Sequence, residues 1–242
     1  MSRYRHAIVI GGSSGIGAAL VRQLAADGVK VAAVARREDR LATVAAASPE
    51  NIRTYLHDVS QPEEAAALFQ KITGDLGGLD LLIYAAGTMP VVGPEEFDFP
   101  KDQAMVTVNC IGAVAWLNQA AIRFGNVGSG TIVAIGSVAG DRGRAGQPVY
   151  NASKAFLATY MEALRNRLAQ KGITVVTVKP GPVSTEMTAH LDPKGFMSAE
   201  EAAKGILHKS QKSGEYYLKL SHRIIFWVIR HIPSSIFRRM KL

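Results

Sequence analysis

The chain has 242 residues, 48% hydrophobic and 20% charged, a balance that excludes a disordered or low-complexity protein and suits one domain with a substantial core. A single cysteine, Cys110, excludes an internal disulfide framework and fits a reducing compartment such as the cytoplasm; no Cys/His cluster has zinc-ligand spacing. The net charge of +8 is carried by one end, where nine Lys/Arg from Lys204 onward face one acid, Glu215, so the balanced remainder lacks the basic reading face of a nucleic-acid binder.

The N-terminal MSRYRHAIVIGG holds an apolar run of only four residues before glycine, too short for a secretory signal. Short apolar, β-branched runs then recur at 6–10, 29–34, 51–56, 79–85, 130–136 and 173–178, separated by helix-period stretches at 15–27, 37–47, 61–76, 103–124 and 150–171. Several of these strands are apolar on both faces, as buried parallel strands are, and the alternation predicts a doubly wound α/β sheet in one domain. Residues 125–130 (GNVGSG) read as a loop by composition, and Tyr216-Tyr217-Leu218 as a final edge strand.

The first strand runs into Gly11-Gly12-Ser13-Ser14-Gly15-Ile16-Gly17, followed by a helical pattern. Glycines there let the backbone turn sharply and approach a pyrophosphate seated at the helix N-terminus. The second strand ends at Ala35-Arg36-Arg37. A carboxylate at that position would hold a ribose 2′-hydroxyl, whereas two guanidinium groups suit a 2′-phosphate, so NADP(H) is expected over NAD(H). The alternative is a solvated helix start ahead of Glu38-Asp39-Arg40. Further on, VYNASKAFL places Tyr150 and Lys154 one helical turn apart on one face. A fixed cation beside a phenol, whose pKa is ordinarily about 10, favours the phenolate and suits acid–base work; by itself the pair is equally an amphipathic helix surface.

Taken in order, these motifs resemble the short-chain dehydrogenase/reductase family, in its compact single-domain branch. The resemblance extends from residue 6 to about residue 220 and implies a three-layer Rossmann fold over residues 1–220, with 221–242 as a basic amphipathic helical appendage. Besides Gly11, Ser13, Ser14, Gly15, Ile16, Gly17, Arg36 and Arg37, it assigns cofactor contacts along the chain. Asp58 and Val59 would hold the adenine, and Ala85-Ala86-Gly87 follows the fourth strand. Pro180, Gly181, Val183 and Thr185 would lie beside the nicotinamide. It implies a catalytic set of Asn109, Ser137, Tyr150 and Lys154, in which Ser137 and Tyr150 bind the substrate carbonyl, Lys154 lowers the tyrosine pKa and bonds the nicotinamide ribose, and Asn109 holds a relay water. Two departures stand out: the family usually has Thr where this chain has Ile10, and Asn where it has Tyr84 and Ala85. Losing both ends of that polar link leaves no buried orphan, and packing of Ile10 is expected to replace it.

The expected activity is NADP(H)-dependent interconversion of a ketone or aldehyde and an alcohol. The flanking segments 88–93 and 186–191 are mostly apolar, which favours a hydrophobic or lipid-like substrate. One alternative is a soluble 3-oxoacyl-thioester reductase, disfavoured because only Arg142 and Arg144 lie near the cleft to meet a carrier arm. Another, from a different class, is a vestigial dinucleotide-binding regulator, against which the intact catalytic set argues. Cys110 reads as a small buried residue, and His57 and His190 as ordinary loop or edge residues. The resemblance also implies a homodimer through 103–124 and 150–171, with a tetramer as the larger alternative. In the tail, Arg223 and Arg230 share one helical face with Ile224, Ile225, Val228, Ile229 and Ile232 opposite, Pro233 ends the helix, and basic residues follow. Its apolar run is too short to span a bilayer but suits the interface of a membrane at the cytoplasmic face; a lid over the cleft and a subunit contact are the alternatives.

Overall fold

The computed structural model describes residues 3–93 and 95–240. Met1 and Ser2 of the N-terminal stretch and Lys241 of the basic tail lie outside the described residues. Seven parallel strands form one sheet: β1 (His6–Ile10), β2 (Lys30–Ala35), β3 (Ile52–Leu56), β4 (Leu81–Tyr84), β5 (Gly130–Ile135), β6 (Ile173–Lys179) and β7 (Gly214–Tyr217). Their order across the sheet is β3-β2-β1-β4-β5-β6-β7, so the winding reverses between β1 and β4 and opens a crevice at their C-terminal ends.

Alternation along the strands fills two core layers. Ile8, Leu82, Tyr84 and Ile132 face α3 (Ala65–Leu76), α5 (Gly112–Val127) and α6 (Pro148–Leu168), where Phe69, Trp116, Phe124 and Leu164 are buried. Val9, Leu81, Ile83, Val133 and Val176 face α1 (Gly15–Ala26), α2 (Glu38–Ala45) and α7 (Ala199–Lys209), which contribute Leu20, Leu24, Leu41 and Ile206. Helix α4 (Phe99–Val106) joins α5 through one wide turn at Thr107–Ile111, which makes Phe99–Val127 a continuous helical run. The run is long and apolar enough to cross a membrane, yet its inner face is buried against the sheet.

Three sequence expectations need correction. The 125–130 loop is mostly helix: α5 runs to Val127 and stops at Gly128, whose φ of 75° is the left-handed conformation that ends a helix. His57 is a buried residue, packed edge-on against Trp116 with ring centroids 5.4 Å apart, because the end of β3 turns inward under α5. In the tail, α8 (Leu220–His231) turns His222, Phe226 and Ile229 partly inward, so Ile229 and Ile232 are half-covered while Leu220, Ile224, Trp227 and Val228 are exposed. After Pro233 a single turn, α9 (Ser234–Phe237), follows. Helix α7, absent from the predicted elements, is closed by a capping box in which Ser198 accepts from Glu201 N and Glu201 returns the bond.

Ile10 is fully buried, as packing in place of the lost polar link requires, and its carbonyl accepts from Ala85 N at 2.8 Å. Tyr84 does more than fill space. Its side chain is fully buried and its hydroxyl donates to the Val108 carbonyl at 2.7 Å, in the wide turn that carries Asn109. Tyr84→Phe should therefore destabilise the protein by about 1–3 kcal/mol in urea unfolding, since a buried carbonyl loses its side-chain donor. An unchanged midpoint would show that the turn holds itself.

Candidate active site

The glycine loop closes directly onto the end of β4. Gly11, at φ 84°, and Gly12 donate to the Val34 carbonyl at 2.8 and 3.1 Å. A Cβ added at Gly11 would stand 2.6 Å from Ala86 N, and one at Gly17 would stand 2.0 Å from the Gly11 carbonyl oxygen. Only glycine allows this approach, and it leaves the N-terminus of α1 open toward the crevice, a cradle that fits a pyrophosphate. Ser13 is buried, while Ser14 Oγ accepts from Arg37 Nη2 at 2.7 Å.

Beyond β2, Arg36 Nη1 lies 3.7 Å from Asp58 Oδ2 and is largely exposed. Arg37 Nη1 also meets Glu186 Oε2 at 2.9 Å, and Arg40 Nη1 meets Glu186 Oε1 at 2.6 Å. Hydrogen bonding and charge from Arg37, then Arg40, hold the Glu186 carboxyl below its ordinary range despite some desolvation. Neither Arg40 nor Glu186 was among the sequence-predicted site residues. Val59 has its side chain in the core, and its carbonyl lies against α5, where a Cβ added at Gly112 would be 2.5 Å away.

At the other end of the crevice, the wide turn carries Asn109, which is 1% exposed. Its Oδ1 accepts from Thr88 N at 2.8 Å, and its Nδ2 donates to the Thr88 carbonyl at 3.0 Å and to Ser153 Oγ at 3.1 Å. The asparagine thus clamps the segment after β4 onto α6. A Cβ at Gly87 would stand 3.4 Å from Asn109 Oδ1 and 3.5 Å from Lys154 Nζ, so the three residues converge on one spot. Ser153 and Gln147 were missed by the sequence reading, and Arg144 was noted there only as a candidate for a carrier arm. Gln147 has φ 58° at the start of α6 and donates through Nε2 to the Pro90 carbonyl, tying the α6 entry to the 88–93 segment.

Lys154 is buried, donates to the Ile135 carbonyl at 3.1 Å, and lies 5.7 Å from the Tyr150 ring centroid. Burial of its ammonium lowers its pKa to about 8. The expectation that Lys154 brings the Tyr150 pKa down is not met. Burial pushes the phenol up, opposed by the Ser137 hydroxyl and the charge of Arg144, because the lysine sits over the ring with its Nζ turned to a strand-end carbonyl. Ser137 follows β5 and accepts from Ala139 N at 3.0 Å, capping the short turn Val138–Asp141. Cys110 is buried, with its thiol pKa raised by desolvation, in keeping with a packing role.

The Pro180 segment faces this cluster: Val138 N donates to the Pro180 carbonyl at 3.3 Å. Val183 is buried, and its carbonyl accepts from Thr188 Oγ1 at 2.6 Å within a turn capped by Thr185. A Cβ at Gly15 would stand 3.1 Å from Thr185 Cγ2, which puts Thr185 across the groove from the glycine loop. Gly181 lies under the His222 ring of α8, where an added Cβ would be 2.0 Å from His222 Cε1.

The sequence profile described as short chain dehydrogenase matches residues 5–195. An uncharacterized oxidoreductase of Staphylococcus saprophyticus is 35% identical over 205 residues, covering 80% of this chain and 88% of its own. One from Myxococcus xanthus is 34% identical over 216 residues, covering 88% and 85%. Among solved structures, a short chain dehydrogenase from Burkholderia cenocepacia in complex with NADP superposes with a TM-score of 0.86 over 100% of both chains at 23% identity.

Burial of Lys154 sets a pH-dependent expectation. Its folded-state pKa of about 8 lies below the unfolded value near 10.4. Below about pH 8 both states hold the proton and the native protein carries the whole desolvation cost. Above it the unfolded chain binds more protons, so wild type should gain stability relative to Lys154→Met as pH rises from 7.5 to 9.5. Urea unfolding of both proteins at the two pH values measures this; a difference independent of pH would contradict it.

Proposed function

The chain belongs to the short-chain dehydrogenase/reductase family and is an oxidoreductase, and from that premise we propose that it reduces a ketone or aldehyde, or oxidises the matching alcohol, with NADP(H). The observation that carries this reading is the placement of Lys154 over the Tyr150 ring, with Ser137 beside the phenol and Gly87 at the lysine head. The glycine cradle and the Arg36–Arg37 pair would hold the dinucleotide, a reading supported by the Burkholderia protein's having been solved in complex with NADP. Bound there, a dihydronicotinamide supplies a hydride.

The residues around it would do the rest. Ser137 and Tyr150 would each donate a hydrogen bond to the carbonyl oxygen, and Tyr150 would pass its proton to the alkoxide that develops there. A phenol kept protonated by burial is already in the form that reduction needs. Lys154 would stabilise the phenolate left behind, an anion beside its ammonium once the proton has gone. Asn109, with Oδ1 able to accept a second bond, would hold the water that returns a proton through Lys154. Val183 and Thr185 would orient the ring from the far wall.

The mostly apolar 88–93 and 186–191 segments, apart from Glu186, which turns to Arg37 and Arg40, would flank the substrate side and support an apolar, lipid-like compound. Arg142 is engaged by the tail, through the Arg230 carbonyl at 3.1 Å and the Phe237 ring at 4.6 Å, which leaves only Arg144 to meet a phosphorylated carrier arm and further disfavours a thioester reductase. Exposed Ile111, Ile122 and Phe156 on α5, its preceding turn and α6 support a homodimer through those helices. The tail supports contact with the inner face of a membrane: Leu220, Ile224, Trp227 and Val228 form an exposed stripe flanked by Arg223 and Arg230.

Tyr150→Phe should lower turnover by roughly 10²–10⁴-fold while NADPH affinity stays within about twofold. Full activity in a stopped-flow NADPH oxidation assay against ketones of increasing chain length would sink the assignment. For the tail, sedimentation with anionic vesicles should fall severalfold in the Ile224→Asp/Trp227→Asp variant and at high salt. Equal partitioning of variant and wild type would remove the membrane contact.

A further inference from the structure

We propose that Glu186 is a cofactor-selecting residue, whose carboxylate competes with a ribose 2′-phosphate for Arg37 and Arg40. The proposal rests on the assignment of Arg37 to that phosphate made above. Glu186 comes from the far wall of the groove, 149 residues along the chain from Arg37, yet each of its oxygens meets a different guanidinium, Arg37 at 2.9 Å and Arg40 at 2.6 Å. Arg37 turns its other amino group to Ser14 of the glycine loop at 2.7 Å, so one arginine links the cradle to the far wall. The remaining acids nearby are spoken for differently: Asp58 faces Arg36 at 3.7 Å, and Asp39 faces the Nε of Arg40 at 3.8 Å. Glu186 thus bridges two of the cations that follow Ala35, Arg37 and Arg40.

The chemistry gives the direction of the effect. A phosphomonoester carries a charge of about −1.5 to −2 and three acceptor oxygens, so it outbids a single carboxylate for two guanidinium forks. NADPH binding must break the Glu186 pairs, and this cost is subtracted from its affinity. NADH has a hydroxyl in place of that phosphate and displaces nothing there, and the paired carboxylate offsets one of the two guanidinium charges beside it. Glu186 therefore narrows the preference that the two arginines would otherwise impose.

The test is titration of the full-length protein with NADPH and with NADH by calorimetry, for wild type, Glu186→Gln and Arg37→Ala. Glu186→Gln should bind NADPH about fivefold tighter, the upper range for a half-exposed ion pair, with NADH affinity within about twofold of wild type. The NADPH gain should shrink in high salt. Unchanged or weaker NADPH binding by Glu186→Gln, with Arg37→Ala weakened as the phosphate assignment requires, overturns the competition alone. Undiminished NADPH binding by Arg37→Ala overturns the phosphate assignment and the competition together.

Discussion

A buried ammonium governs one end of the crevice. Lys154 is withdrawn from water, and desolvation is the largest influence on its proton affinity. Such a group is tolerated only where a fixed acceptor meets it, and the Ile135 carbonyl at the end of β5 does so. Gly87, just after β4, leaves the space that Lys154 Nζ and Asn109 Oδ1 both border. Parallel strands ending at one edge are what bring a carbonyl, a glycine and a helix side chain to the same few ångströms. The dependence also runs backward: without the Tyr84–Val108 bond and the wide turn, Asn109 would not face Gly87.

The nucleotide end obeys a different constraint, close backbone approach. Gly11 and Gly17 remove the side chains that would hold β4, the loop and α1 apart. With the loop flush against β4, the first polar groups beyond it are Ser14 and the arginines after β2. On the proposed reading, charge selection would fall at the rim, among half-exposed side chains, and proton transfer in the buried cluster around Lys154. The two ends are joined by the segment after β6, which carries Thr185 opposite Gly15 and Glu186 opposite Arg37.

Much of this was legible in the sequence because it rests on local pattern. Double-sided apolar runs gave six strands nearly to the residue, and the glycine spacing located the cradle. Helix α7 also had a local signature, Ser198-x-x-Glu201, that the apolar periodicity alone did not bring out. What escaped was long-range or context-dependent. The Arg40–Glu186 pair joins residues 146 apart, and no pattern within either segment announces it. The tyrosine pKa was misjudged for a related reason: helical spacing fixes that Tyr150 and Lys154 are neighbours, but burial and the direction of Nζ, set by β5, decide how much of the charge the phenol feels.

The position of Ser137 shows how the remaining charges are used. It caps a four-residue turn whose last member, Asp141, is fully buried and accepts from Lys179 Nζ at 2.6 Å and from the Tyr217 hydroxyl at 2.8 Å. Lys179 also meets Glu215 at 2.7 Å, so the ends of β6 and β7 are tied to the turn by one buried network. Such a network adds little net stability over an apolar core, but losing one partner strands the others, so its arrangement has few alternatives. It fixes the turn by its C-terminal end and the serine by its N-terminal end. The next residue, Arg142, reaches Ser234 and the Phe237 ring in the tail. Whatever holds the tail therefore acts on a turn already pinned from within, and the serine hydroxyl keeps its place beside Tyr150 while the exposed stripe of the appendage faces outward.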